Sequence, residues 1–320
     1  MDRREFLAAA AAPLVLGAIP SAFGATRGGT PLALVTADLE SAIVAVDLTS
    51  GVVLRRLATP TGPRSIESIG AVGALVAHTA SGRMSLVDSF LRVRPVKGEF
   101  GAPRYTAASP ELRFAYVSDS EREEIVVVDV RSRQVVGRTA VGGPARHLSL
   151  DPLGGRLWVA LGSKAAAVAV VDVTLPRRPR LVGTFKPPFL AHDVGFTPGG
   201  RRVWVTSGDR DRLAIYDAAS ARLLRTFPGD APPQHVTFHR DRAFVTSGDD
   251  GVLRVHSLDG RRLNTVSVPT GSYNVQEGWD RILTPSLAQG TLCVFGTAGV
   301  QLARLKVARS SHDACVIVGT

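Results

Sequence analysis

From residue 30 onward the chain is a succession of short apolar or alternating runs, each broken after five to eight residues by Gly, Pro, Asp or Ser. Alternation with a period of two, in runs rich in β-branched residues, predicts strands, and no stretch beyond the N-terminus carries a helical stripe. Runs ending in Val-Asp or a close variant recur: "IVAVD" ends at Asp47, "MSLVD" at Asp88, "IVVVD" at Asp129, "VAVVD" at Asp172 and "LAIYD" at Asp217. Two weaker copies, "VLRVHS" and "LCVFG", end at Ser257 and Gly296, so seven copies lie 39 to 45 residues apart. That is the period of a four-stranded propeller blade.

The unit beginning near His192 shows the order within a blade: "HDVGF" is strand a, "RRVWVTSG" strand b, "RLAIYD" strand c and "RLLRTF" strand d. The turn segments "TPGG", "GDRD" and "AASA" separate them. The chain ends complete the pattern. "PLALVTA", "AIVAVD" and "VVLRRL" supply strands b, c and d with no a before them, and "HDACVIV" at 312–318 supplies an a with nothing after it. Pairing the two ends makes a seventh blade and removes the last free sheet edges. The expected fold is all-β, a seven-bladed β-propeller of four-stranded blades spanning residues 26–320.

Residues 1–25 read as an export signal, with a charged start, an apolar run from Phe6 to Ile19 and small residues around Ala22 to Ala25. The run falls short of the ~20 residues that cross a bilayer, so no stable membrane span is expected once the signal is removed. Arg3-Arg4 followed by Glu5-Phe6-Leu7 resembles the twin-arginine address. It implies a periplasmic or secreted protein that crosses the membrane already folded. Cys293 and Cys315, the only cysteines, lie inside apolar runs and read as buried free thiols.

The segments "YVSDSEREEIVVVDVRSRQVV", "VWVTSGDRDRLAIYDAASARLLRTF" and "FVTSGDDGVLRVHSLDGRRL" resemble the exported bacterial YVTN-repeat propellers. The resemblance covers all seven units and blurs at "LVAHTASGRMSLVD" and "ILTPSLAQGTLCVF". It implies fold and export, in a group whose functions are diverse. It extends loosely to lactonase-like propellers and to the haem-carrying propeller of nitrite reductases, and fold-level analogy selects no function among these.

The net charge is +10, carried almost wholly by arginine. The arginines are scattered, without a basic helix or an aromatic-interleaved stripe that would follow a nucleic-acid backbone. An envelope protein or a small polar ligand is therefore the expected partner.

Aligning the starts of strand a places Ser65, Tyr105, His147, His192, His235, Asn274 and His312 at one equivalent position, blade by blade. Strand a lines a propeller's channel, so these seven side chains are expected at one of its mouths. His147, His192, His235 and His312 there offer a set that suits zinc, copper or haem iron. The competing reading is structural: a histidine at a repeated position braces the loop before strand a. Strand alternation turns Asp193 and Asp313 away from the imidazoles they follow, so neither carboxylate is expected to orient its own imidazole. The aspartates ending strand c are expected to close the c–d turns by accepting backbone N–H groups.

One residue earlier, Arg64, Arg104 and Arg146 fall in three consecutive blades and present forks suited to a carboxylate or phosphate, if they converge. Glu67 and Glu277 sit within strand a as candidate acids or bases. The acidic turns "SGDRD" and "SGDDG" are too short for a calcium cage and read as b–c turns. The sequence holds no Gly-x-Ser-x-Gly elbow, phosphate loop or His-Glu-x-x-His helix. The function these features predict is a non-catalytic propeller binding a partner protein or small polar ligand at the channel mouth. The alternative is a metal- or haem-dependent redox protein or a lactonase-like hydrolase using the histidines.

Overall fold

Seven four-stranded antiparallel sheets, arranged as successive blades, make up the computed structural model, which describes residues 30–319. Blades 1 to 6 take consecutive strands, and the expected export signal lies outside the described residues. Strand a is Pro63–Ser68, Pro103–Ala108, Leu148–Leu150, Ala191–Phe196, Val236–His239 and Gln276–Gly278 in those six blades. Blade 7 is shared between the chain ends: strand a at Ala314–Gly319 pairs antiparallel with strand b at Thr30–Ala37, in a register running from Thr30–Gly319 to Val35–Ala314. The expected closure is therefore the observed one. No helix among the described residues is long and apolar enough to cross a membrane.

The core is divided as the ring is. Buried apolar side chains form seven clusters, one at each junction between neighbouring blades. Trp158 fills the junction of blades 3 and 4, and Trp204 that of blades 4 and 5, both fully buried. Strands b and c are buried along most of their length, whereas strand d carries exposed residues such as Arg55 and Arg225. This explains why the b and c runs are nearly continuous apolar stretches while d alternates.

Polar side chains stitch what packing leaves open. The aspartates ending strand c do close the next turn, with Thr49 N–H donating to Asp47 at 2.7 Å and Thr174 N–H to Asp172 at 3.0 Å. A hydroxyl in strand b then ties strand a to the following blade. Thr206 Oγ1 accepts the Asp193 N–H at 2.9 Å and donates to the Gln234 carbonyl of blade 5 at 2.7 Å. Thr246 repeats the device toward the Tyr273 carbonyl of blade 6. Cys293 and Cys315 are buried free thiols, as their apolar setting predicts.

Candidate functional site at the channel mouth

His147, His192 and His235 come from the starts of strand a in three consecutive blades, and the fold brings them together. Their candidate ligand nitrogens all lie within 4.8 Å of one another. Ring centroids stand 4.4 Å apart for His147–His192, 4.6 Å for His147–His235 and 5.2 Å for His192–His235. Tyr105, from blade 2, packs on His147 at 4.1 Å and lies 5.6 Å from His235.

The rest of the aligned ring does structural work. His312 is outside the three-histidine group, a correction to the expectation of four imidazoles in one space. Its Nδ1 lies 2.7 Å from the Arg64 carbonyl, which can only accept, so His312 donates there and braces blade 7 against blade 1. Asn274 donates to the His312 carbonyl at 2.8 Å, and Ser65 donates to the Arg104 carbonyl. The bracing reading thus describes His312, while His147, His192 and His235 converge.

The three converging rings are held from behind. His192 Nδ1 donates to the Ser163 carbonyl at 2.9 Å, which leaves Nε2 as the lone-pair nitrogen. His235 Nδ1 faces Asp193 Oδ2 at 3.4 Å. A carbonyl accepting from the far nitrogen, as Ser163 does, fixes tautomer and orientation in metal sites, whereas Asp193 is a close electrostatic neighbour of His235 outside hydrogen-bond geometry. Asp193 turns away from its own His192, as strand alternation predicts, and toward the next blade. The same carboxylate accepts the Val236 N–H at 3.0 Å and its own Val194 N–H at 2.8 Å. Asp313 performs the equivalent bond at the closing junction, accepting the Ile66 N–H at 3.0 Å.

His147 is different. It is 1% exposed, and neither ring nitrogen has a hydrogen-bond partner, the nearby His192 backbone falling outside bonding geometry. Leaving a buried imidazole unsatisfied costs roughly 1–3 kcal/mol. Burial, reinforced by His192 and His235, holds its pKa well below the ordinary range. Burial and then His235 push His192 down to about 4. Both rings are accordingly neutral at pH 7, the form that ligates a metal without first losing a proton.

A tetrahedral zinc with 2.0–2.1 Å bonds asks for nitrogen separations of about 3.3 Å. The nitrogens lie within 4.8 Å of one another, so a bound cation would have to draw them closer, and three such ligands would leave one tetrahedral position open. A porphyrin does not fit between rings 4.4 to 5.2 Å apart, so no two of these imidazoles can ligate one haem from opposite faces.

Inward of the ring the channel opens into a cavity of ≈ 440 Å³ whose wall includes His147, His235, Asp193, Asp313 and Glu67. Burial, then the charge of Asp313, pushes Glu67 up to about 8, and burial pushes Asp313 up to about 7. Glu277, the other expected acid, is paired with His239 Nδ1 at 3.1 Å. The acidic b–c turns prove to be fasteners: Asp209 accepts the Leu190 N–H at 3.2 Å, and Asp249 accepts the Tyr273 hydroxyl at 2.7 Å.

Three elements of the site escaped the sequence reading: the Ser163 carbonyl, the reach of Asp193 across blades, and Gly208. A Cβ on Gly208 would meet the Ser163 carbonyl oxygen at 2.5 Å, so only glycine lets that loop stand behind His192. The signal was present in the repeated "VTSGD" of 205–209 and 245–249, where a hydroxyl, a close approach and a fastening carboxylate follow one another.

Fold and site together define a seven-bladed β-propeller with a histidine-bearing channel mouth. No family model matches the chain, and no curated protein matches it. Among solved structures it is similar to a functionally unknown protein from Desulfotomaculum acetoxidans, with a TM-score of 0.77 and 12% identity over 90% of this chain and 99% of that one. It is also similar to the periplasmic gluconolactonase PpgL of Pseudomonas aeruginosa, at TM-score 0.70 and 17% identity over 91% and 99%. A third likeness is to apo AztD from Citrobacter koseri, at TM-score 0.69 and 10% identity over 92% and 99%. At such identities the likeness defines the fold alone.

Proposed function

We propose that this protein is an exported, non-catalytic binding propeller whose ligand is a transition-metal cation, zinc or copper, held by His147, His192 and His235 at the channel mouth. The observation that supports this most is the convergence of three imidazoles around a buried His147 whose ring nitrogens have no other partner. The carbonyl that accepts from His192 Nδ1 favours ligation through the ring's Nε2. A bound cation would satisfy what the fold leaves unsatisfied.

Export through the twin-arginine pathway to the periplasm or beyond belongs to this reading, on the strength of Arg3-Arg4 and the apolar run after them. So does kinship with the YVTN-repeat propellers. The hydrolase alternative draws less support: the channel carboxylates Glu67 and Asp313 have raised pKa values and are poor cation ligands at neutral pH.

The test is elemental analysis and zinc titration of mature protein purified after native export, beside a variant carrying His147→Ala, His192→Ala and His235→Ala. One equivalent of metal in the wild type and none in the folded variant is the expected result. A wild type that neither carries metal nor binds added zinc or copper saturably overturns the proposal.

A further inference from the structure

The metal reading leaves three charged side chains at the same mouth unused. Arg64, Arg104 and Arg146 stand one residue before the ring position in blades 1, 2 and 3. Arg104 Nε donates to Ser120 Oγ at 3.0 Å in its own blade, and Arg64 lies 3.7 Å from Asp38 of blade 7. Both guanidinium groups are thereby moored at the rim.

Arg146 is not moored. Its Nε is buried without a hydrogen-bond partner, and among the described residues it makes no ion pair. Its charge acts on Arg104 and Tyr105 in blade 2, His147 in blade 3, His192 in blade 4 and His312 in blade 7. Ser65, beside Arg64, donates to the Arg104 carbonyl, and Tyr105, beside Arg104, packs at 4.1 Å on His147, beside Arg146, so the three arginines start from adjoining points of the mouth. The charges of Arg146 and Arg64 both act on Arg104. Clustered like charges beside a buried, partnerless donor are stabilised by an anion that bridges them.

We propose that Arg64, Arg104 and Arg146 form an anion subsite over the channel mouth, that its ligand is a small polycarboxylate, and that one carboxylate of this ligand fills the open coordination position of the metal. The last clause rests on the metal reading above; the subsite itself does not. The arrangement answers an electrostatic problem. Three arginines repel a bare cation, whereas a cation delivered with a multivalent anion arrives neutralised, the forks taking the distal carboxylates and the imidazoles the metal. Guanidinium forks match planar carboxylates in a bidentate manner, which a compact ammonium cannot.

The experiment is isothermal titration of succinate, a weak chelator, into full mature protein freed of metal, and again after loading with zinc, with inorganic phosphate as the competing oxyanion. Succinate is expected to bind the metal-free protein saturably, about tenfold tighter than phosphate and about tenfold tighter again once zinc is present. Arg146→Lys keeps the charge and loses the fork, so it should weaken succinate about tenfold while circular dichroism stays unchanged. The triple histidine variant should retain the metal-free affinity and lose only the gain from zinc. No saturable succinate binding, phosphate binding as tightly, or an Arg146→Lys protein that binds succinate like the wild type would each overturn the subsite. Arginine-dependent succinate binding in a protein that takes no zinc would leave the subsite standing and remove the metal from it.

Discussion

Asp193 follows His192 in the chain yet serves His235 in the next blade, its Oδ2 standing 3.4 Å from His235 Nδ1 and 3.0 Å from the Val236 N–H it accepts. One carboxylate thus couples the positioning of an imidazole to the junction between blades 4 and 5. Asp193→Asn keeps the size and one acceptor oxygen while removing the charge. Zinc affinity, read by competition with a chromophoric chelator, should fall 10- to 100-fold, the usual range for losing the group behind a ligand histidine. An unchanged affinity would mean that His235 is not a ligand.

The two kinds of histidine should separate in a pair of variants. His312→Ala removes the donor to the Arg64 carbonyl at the closing junction and should cost roughly 1–3 kcal/mol of stability, leaving metal stoichiometry intact. His147→Ala should abolish metal binding and cost the metal-free protein less, because it removes two polar atoms that have no partners. Thermal melts of the metal-free proteins, paired with zinc titrations, read both effects.

Closure by the last strand can be tested by truncation. Residues 312–320 provide strand a of blade 7, the His312 donor and the Asp313 carboxylate that accepts from Ile66. Their removal exposes the edge at Thr30–Ala37 and opens the clusters shared by blades 7 and 1 and by blades 6 and 7. The truncated chain should melt at least 10 °C lower or lose cooperativity, on the order of what losing several kcal/mol does in a chain this long. A cooperative melt at the full-length temperature would contradict ring closure as the source of stability.

The fold was legible because its markers are local and repeated. An aspartate such as Asp47 or Asp172 ends strand c since its own turn needs an acceptor, so the repeat period could be counted directly. The ring position was legible for the same reason. Which ring members would converge was not, because that depends on what each side chain finds in a different blade. The Arg64 carbonyl captures His312, Ser163 takes only the far nitrogen of His192, and His147 meets no acceptor at all. Those partners are remote in sequence, and strand alternation, which correctly turned Asp193 from His192, says nothing about the neighbouring blade.

Glu67 sets a pH dependence whose sign follows from its environment. The carboxyl titrates near 4.5 when exposed, and burial followed by the Asp313 charge pushes it up to about 8 in the folded channel. Between those values the folded state holds a proton that the unfolded chain has released, so stability falls as pH rises across the window. Asp313, pushed up to about 7, adds to the fall over its lower part. His78, His192 and His256, lowered to about 4 by burial, and His147 and His312, held well below the ordinary range, act oppositely below pH 6.5. Between about pH 6.5 and 8 the raised carboxyls set the slope. Glu67→Gln should raise Tm at pH 8.5 by about 4 °C, corresponding to about 2 kcal/mol after screening by channel water, and leave pH 5 nearly unchanged. Equal effects at both pH values would show that the Glu67 carboxyl is not protonated in the folded channel.

Gly208 offers the sharpest test of the support behind His192. Its missing side chain lets the b–c loop of blade 4 come up against the Ser163 carbonyl, where an added Cβ would lie 2.5 Å from the oxygen. The obstacle is backbone, which cannot swing aside, so Gly208→Ala must displace the acceptor that holds His192 Nδ1 at 2.9 Å. Zinc affinity should fall about tenfold as the ring loses its fixed tautomer. Gly199→Ala is the control, because nothing stands within 4 Å of its new Cβ and its backbone needs no left-handed conformation. That substitution should leave metal binding alone and raise stability by about 0.4–1 kcal/mol through the unfolded chain. If Gly208→Ala instead binds zinc like the wild type, the Ser163 carbonyl has no part in presenting His192.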